Sequence, residues 1–167
     1  MNRYDIALQK PLESTRPLQV PSSEALSGDA TPETIISSAI KMIELSIQYI
    51  LNLSDGIRHM MSPESYKREL CTIKLALPRR SGNTTIAVSL LKKIPDSILI
   101  IRDRVTERNI IRNFHLRDMP PSRFRIVDFS LRGDHFNYII VDGASYMEQQ
   151  KIDFMYQALN GIFILLG

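Results

Sequence analysis

The residues best suited to chemistry lie together in Leu77-Pro78-Arg79-Arg80-Ser81-Gly82-Asn83-Thr84-Thr85. An apolar run, Thr72 to Leu77, precedes the core of this stretch and reads as a buried strand; Ile86 to Lys93 follows it and reads as a helix. A strand, a tight glycine turn and a helix opening on two threonines form a phosphate-binding loop. Successive backbone N–H groups and the positive end of the helix converge there on one anion. Against the pattern G-x-x-x-x-G-K-[ST], Gly82 and Thr84 fit, Leu77 stands at the first glycine and Asn83 at the lysine. Thr84 is expected to offer its hydroxyl to Mg²⁺ and Thr85 to donate near the phosphates, with the backbone from Arg79 through Ser81 to Thr84 wrapping the β-phosphate. Asn83 can donate a hydrogen bond but carries no charge. Arg79 and Arg80 are the cations nearest to it in the chain, with solvated loop charge as their plainer role.

A second constellation is Ile139-Ile140-Val141-Asp142-Gly143. An aspartate closing an apolar strand places its carboxylate where Mg²⁺ would sit, bound directly or through water. Alone this pattern is common, because any buried strand ending at an Asp-Gly turn shows it. It gains meaning from the phosphate-loop candidate upstream and the strands between them.

The elements that must position these groups follow from periodicity. Thr31-Pro32-Glu33 is a helix start, with Thr as N-cap and Pro in the first turn, and Ile36, Ile40, Ile43, Ile47 and Ile50/Leu51 recur at helical spacing to about Leu53. Ser62-Pro63-Glu64 opens a shorter helix to about Leu70. Ser97–Ile101, Phe124–Val127, Tyr138–Asp142 and Ile162–Leu166 read as strands, and the consecutive apolar residues suit parallel strands covered on both faces. Val105–Phe114, with Val105, Ile110, Ile111 and Phe114 inward, and Met147–Leu159 read as helices; Leu131 to Asp134 reads as a turn. The alternation predicts an α/β fold, a parallel sheet with flanking helices in three layers, preceded by a helical segment. The chain divides into an arm over 1–30, in which Tyr4, Ile6 and Leu8 alternate weakly as a strand would, a helical segment over 31–70 and an α/β core over 71–167.

Composition narrows the class. The chain has 167 residues, 44% hydrophobic and 23% charged, as expected for one ordinary domain. No apolar run looks long enough to span a bilayer, and no signal-peptide pattern opens the chain. The single cysteine, Cys71, excludes an intrachain disulfide framework and supplies no zinc pattern. These features point to a cytoplasmic setting and no membrane. His59, His115 and His135 lack metal-ligand spacing, although His135 and Asp134 are close in sequence to the Asp142 strand and are candidates to line its cleft. Met60-Met61 reads as core filler. Twelve basic residues against five acidic ones lie between Arg79 and Arg132, a surplus suited either to a solvated surface or to DNA, RNA or nucleotide phosphate.

With these residues in view, Leu77–Thr85 resembles the Walker A motif of viral and phage terminase large subunits, which often lack the first glycine and carry a Pro-Arg-x-x-Gly-Lys-Thr form. Leu131-Arg132-Gly133 leading into Tyr138–Ser145 resembles the approach to that family's Walker B, and Ile162–Leu166 falls where its coupling strand follows. The resemblance covers about residues 65–167, the ATPase half without the nuclease half, and RecA-like helicases are close to it. It implies a P-loop NTPase-like core with ATP and Mg²⁺ as ligands, Gly82, Thr84 and Thr85 on the phosphates and Asp142 on the metal. Two positions depart: Asn83 replaces the lysine that neutralises phosphate charge, and Gly143 replaces the glutamate that polarises the attacking water. Losing both argues against efficient hydrolysis. The implied function is a degenerate terminase- or helicase-like ATPase domain, viral and in the host cytoplasm. It would bind nucleotide weakly and act with nucleic acid through the Arg-rich 79–132 stretch, or with a packaging or replication partner. Motor ATPases of this class often form rings, so an oligomer is compatible. Two alternatives stay open: an active ATPase using Arg79 or Arg80 and another acid, or a non-enzymatic interaction protein on the same fold.

Overall fold

The computed structural model describes residues 31–53, 55–77, 81–127 and 135–167. The arm over 1–30, Arg79, Arg80 and the turn over 131–134 lie outside the described residues. Five strands form one sheet: β1 (Thr72–Leu75), β2 (Ser97–Ile101), β3 (Phe124–Ile126), β4 (His135–Asp142) and β5 (Asn160–Leu166), in the order β1-β5-β4-β2-β3 with every neighbour parallel. β2 is buried at all five positions, as its unbroken apolar run requires of a strand covered on both faces.

Side-chain alternation along the strands splits the core in two. Leu99, Ile101, Ile140, Ile164 and Leu166 pack with α1 (Pro32–Leu51), α4 (Asn83–Lys93) and α5 (Arg104–Asn113). Ile98, Ile100, Ile139, Val141, Phe163 and Leu165 pack with α6 (Gln149–Ala158). A short helix, α2 (Asp55–Arg58), and then α3 (Pro63–Leu70) complete the helices, with α3 lying against α6. The result is the expected three-layer α/β arrangement with a helical segment in front.

The crossovers explain where a crevice must open. The links β1→β2 and β2→β3 run one way across the sheet, with α4 and α5 on one face, whereas β4→β5 runs back with α6 on the other. Right-handed crossovers demand that change of face when direction reverses. The chain leaving β1 and the chain leaving β4 therefore diverge, and the gap above the strand carboxyl ends is the ligand-binding position of such sheets.

Both helix-start signals act as expected. Thr31 Oγ1 accepts from the Thr34 N–H at 3.3 Å, and Ser62 Oγ accepts from the Ser65 N–H at 3.1 Å. α1 buries Ala39, Ile43 and Ile47 and leaves Met42, Leu45, Tyr49 and Leu51 exposed. It contains an 18-residue window of mean hydropathy 1.3, long and apolar enough to cross a membrane by length and composition only, a run that the sequence reading did not single out.

Other corrections have local causes. Val105 is 60% exposed rather than inward. Asp103 caps α5 through the Thr106 N–H, so the helix starts at Arg104. Val105 then lies five residues from the buried Ile110, about 140° around the helix. Met60 is exposed, not core filler. β5 begins at Asn160, two residues early, because Gly161 has φ 151° and an ideal Cβ there would lie 2.2 Å from the Phe136 carbonyl oxygen. Arg123, counted with the basic surface, turns inward: its guanidinium donates to the carbonyls of Leu91, Ile94 and Ser97 and to Ser97 Oγ.

Candidate functional site

The loop candidate meets α4 at Gly82, the helix N-cap, whose φ of 96° lies in the left-handed region that favours glycine. An ideal Cβ at Gly82 would stand 3.0 Å from Ile36 Cδ1, so α1 braces the turn from behind. The helix starts at Asn83, one residue before the two threonines on which it was expected to open. Asn83, Thr84 and Thr85 form its first turn. Their N–H groups lie outside the helical ladder, which begins with Ile86 N–H donating to the Gly82 carbonyl. This is the helix-end geometry that attracts anions.

Thr84 Oγ1 donates to Asp142 Oδ2 at 2.9 Å. The bond joins the first turn of α4 to the last residue of β4, the strand on which α4 packs. Asp142 is only 8% exposed. Burial raises its carboxyl above the usual carboxylate range, and the bonds from the Thr84 hydroxyl and the Gly143 N–H bring it part of the way back. Gly143 follows in the left-handed region, φ 74°, and opens a 3₁₀ turn over Ala144–Tyr146.

These groups share a pocket of about 620 Å³. Gly82, Asn83 and Thr84 come from the start of α4, Asp142 and Gly143 from the end of β4, Arg102 and Thr106 from the β2–α5 junction, and Tyr146 from the 3₁₀ turn. The structure thus brings Gly82, Asn83, Thr84 and Asp142 together. Ser81 and Thr85 do not line this pocket. Arg79 and Arg80 lie outside the described residues. His135 starts β4, seven residues from Asp142 and so about 23 Å along the strand, which puts its backbone at the wrong end of the sheet to line this cleft; Asp134 lies outside the described residues. Asn83 Oδ1 is buried without a hydrogen-bond partner, a state costing about 1–3 kcal/mol until a donor such as a ligand N–H or a ligand-held water reaches it.

Arg102 is the group that the sequence reading missed. It was counted only as one of many basic residues, yet it directly follows β2. The first residue past a buried parallel strand stands at the carboxyl end of the sheet, and that placement was the available signal.

The donor set bears on Mg²⁺. Among the described residues no group of three or more His, Cys, Asp or Glu could hold a metal. Asp142 and Thr84 provide one carboxylate and one hydroxyl. That suits Mg²⁺, which keeps several waters and is usually held by one or two carboxylates together with substrate phosphates.

A larger pocket, about 900 Å³, opens at the opposite end of the sheet. Two of its cations are already engaged. Lys67 Nζ donates to the carbonyls of Tyr156 and Leu159, and Arg123 makes the contacts described above. The helix N-terminus, the hydroxyl and the carboxylate meet in the smaller pocket, which makes it the candidate site.

In comparisons with known proteins, the chain matches no family model, no curated protein and no solved structure.

Proposed function

We propose that this chain is a degenerate P-loop NTPase domain that binds Mg²⁺-nucleotide weakly and hydrolyses it poorly, and that it acts with nucleic acid or with a viral packaging or replication partner. The observation that carries this reading is the Thr84–Asp142 hydrogen bond beside the left-handed Gly82. A hydroxyl and a carboxylate from distant parts of the chain meet at the N-terminus of a buried helix, at the position where an α/β sheet takes its ligands. In this reading Thr84 and Asp142 hold Mg²⁺, which neutralises phosphate charge when bound, and the N–H groups of the first turn hold a phosphate.

Weak hydrolysis follows from the other side chains. The described residues lining the pocket include one carboxylate, Asp142, which in this reading is a metal ligand, and no second acid to polarise water. Asn83 supplies no charge. The basic stretch is also less open than its count suggests. Arg104 pairs with Glu107, and Arg123 is turned inward. The nucleic-acid partner therefore rests on fewer cations than the sequence total.

The test is Mg-ATP binding and turnover for the wild type, Asn83→Lys, Gly143→Glu and the double variant, with Asp142→Ala as control. We expect weak wild-type binding, slow turnover and tighter binding by Asn83→Lys. Gly143→Glu meets ordinary packing but a strained backbone, because φ of 74° costs a residue with a Cβ about 1–2 kcal/mol; its folding is checked by thermal melting. Rapid wild-type turnover that disappears in Asp142→Ala would overturn the degenerate reading. Absence of binding in both the wild type and Asn83→Lys would overturn the nucleotide site. Binding of DNA and RNA across a salt series checks the partner: phosphate contacts give a steep slope, and no binding at low salt removes nucleic acid from the proposal.

A further inference from the structure

We infer that Arg102 supplies the cation that the loop lacks, and that the pocket therefore selects a chain of phosphates over a shorter one. This rests on the nucleotide reading above. Asn83 stands where a lysine would carry its ammonium on a four-carbon stem; its own amide ends one carbon beyond Cβ and cannot reach past the phosphate held by the first turn of α4. Arg102 enters from the other side. In the sheet order, Asp142 ends β4 and Arg102 directly follows β2, the neighbour of β4 on the side away from β1. A phosphate chain that begins on the α4 N-terminus and passes over Asp142 has its far end one strand spacing, about 4.8 Å, from the line of β2. Arg102 lines the pocket there.

Its neighbours leave the guanidinium donors for a ligand. Arg102 is 61% exposed on its side chain, and its Nε donates to Asp103 Oδ2 at 2.9 Å. Asp103 is itself engaged as the N-cap of α5, accepting from the Thr106 N–H at 2.8 Å, and this bond and Arg102 together lower its carboxyl to about 2. Asp103 thus orients Arg102 through one of its five N–H donors, and the fork can meet a phosphate with the others. Moving the charge from the loop to β2 changes what it senses: a loop lysine sits beside the phosphates generally, whereas Arg102 meets only the far end of the chain. The ligand class is a nucleoside triphosphate in preference to a diphosphate.

The experiment is calorimetric titration of Mg-ATP and Mg-ADP into the wild type, Arg102→Ala, Arg102→Lys, Thr84→Ala and the double variant Asn83→Lys/Arg102→Ala at low salt. The wild type should prefer ATP. Arg102→Ala should lose about tenfold in ATP affinity while ADP stays within about twofold, Arg102→Lys should fall between because an ammonium lacks the fork, and the double variant should regain ATP affinity. Arg102 is exposed and Asp103 keeps its cap without it, so the fold is expected to tolerate the change. If Arg102→Ala leaves the ATP-to-ADP preference untouched while Thr84→Ala abolishes both, Arg102 has no such role and the nucleotide site stands. If the wild type and the Asn83→Lys/Arg102→Ala variant bind neither nucleotide, the nucleotide reading fails and takes this inference with it.

Discussion

The two ends of the sheet handle polar groups in opposite ways. At the amino end, Lys67 and Arg123 reach into half-buried space and donate hydrogen bonds to backbone carbonyls. Lys67 serves the C-terminus of α6 through Tyr156 and Leu159, and Arg123 serves that of α4 through Leu91 and Ile94. Cations at helix C-termini satisfy carbonyls that have no helical partner and oppose the negative end of the dipole. At the carboxyl end the N–H groups of Asn83 to Thr85 lie outside the ladder, Asn83 Oδ1 has no partner, and an aspartate is buried against its preference for charge. The amino end has the larger pocket and settled polar groups; the carboxyl end has the smaller pocket and groups that a ligand would complete. Volume and unmet chemistry therefore point to different pockets.

This contrast can be broken. Arg123→Ala should produce the largest loss of stability, about 3 kcal/mol, because several carbonyls lose their donor at once. Nucleotide affinity should stay unchanged. Urea unfolding and titration read the two effects separately, and a loss below about 1 kcal/mol would deny the amino end its structural role. Thr84→Val should act the other way, costing about 1–2 kcal/mol of stability and at least about tenfold in Mg-ATP affinity. If only stability moved, the carboxyl end would be structural too.

Asp142→Asn sharpens the comparison through pH. Burial raises the carboxyl in the folded state, so the folded chain holds its proton to higher pH than the unfolded chain does. The stability contributed by this group is full below the unfolded pKa and is lost as pH rises through the folded one. The asparagine variant carries no such penalty, and its amide oxygen can still accept from Thr84. It should therefore melt above the wild type near neutral pH, with the gap narrowing toward about pH 4, while Mg²⁺-dependent binding disappears. A variant that melts lower at neutral pH would show that the Asp142 charge supports the fold. The smallest effect is expected away from both ends: Val105→Ser, on the exposed side of α5, should change unfolding free energy by less than about 0.5 kcal/mol.

Much of the fold was legible because its strands are unbroken apolar runs and its first helices carry strong start signals. Ser97–Ile101 was read with the bounds it has, and Thr31-Pro32 and Ser62-Pro63 mark the helix starts they appear to mark. Gly82, Thr84 and Asp142 were singled out, and the structure sets them side by side. What escaped were side chains whose role depends on direction. Arg102 and Arg123 count alike in a charge total, yet one lines the pocket and the other is drawn under the sheet by carbonyls that no periodicity reveals. The last strand was expected from Ile162, but it starts two residues earlier, and the close Phe136 carbonyl makes glycine the residue that fits at position 161. Tertiary approach of this kind leaves no trace in local spacing.

A glycine in the left-handed region also acts as a ratchet. At Gly143 the backbone holds φ of 74° in the turn that follows β4. A chain that once carried a side chain there would give up both the side chain and the backbone shape suited to it. The forward step meets no steric barrier, because glycine adopts either shape, while the reverse step meets a steric cost at φ of 74°. An Asp-Gly turn of this kind is easy to enter and uphill to leave. In such a turn, placing an acidic side chain next to Asp142 takes a remodelled backbone as well as the new side chain.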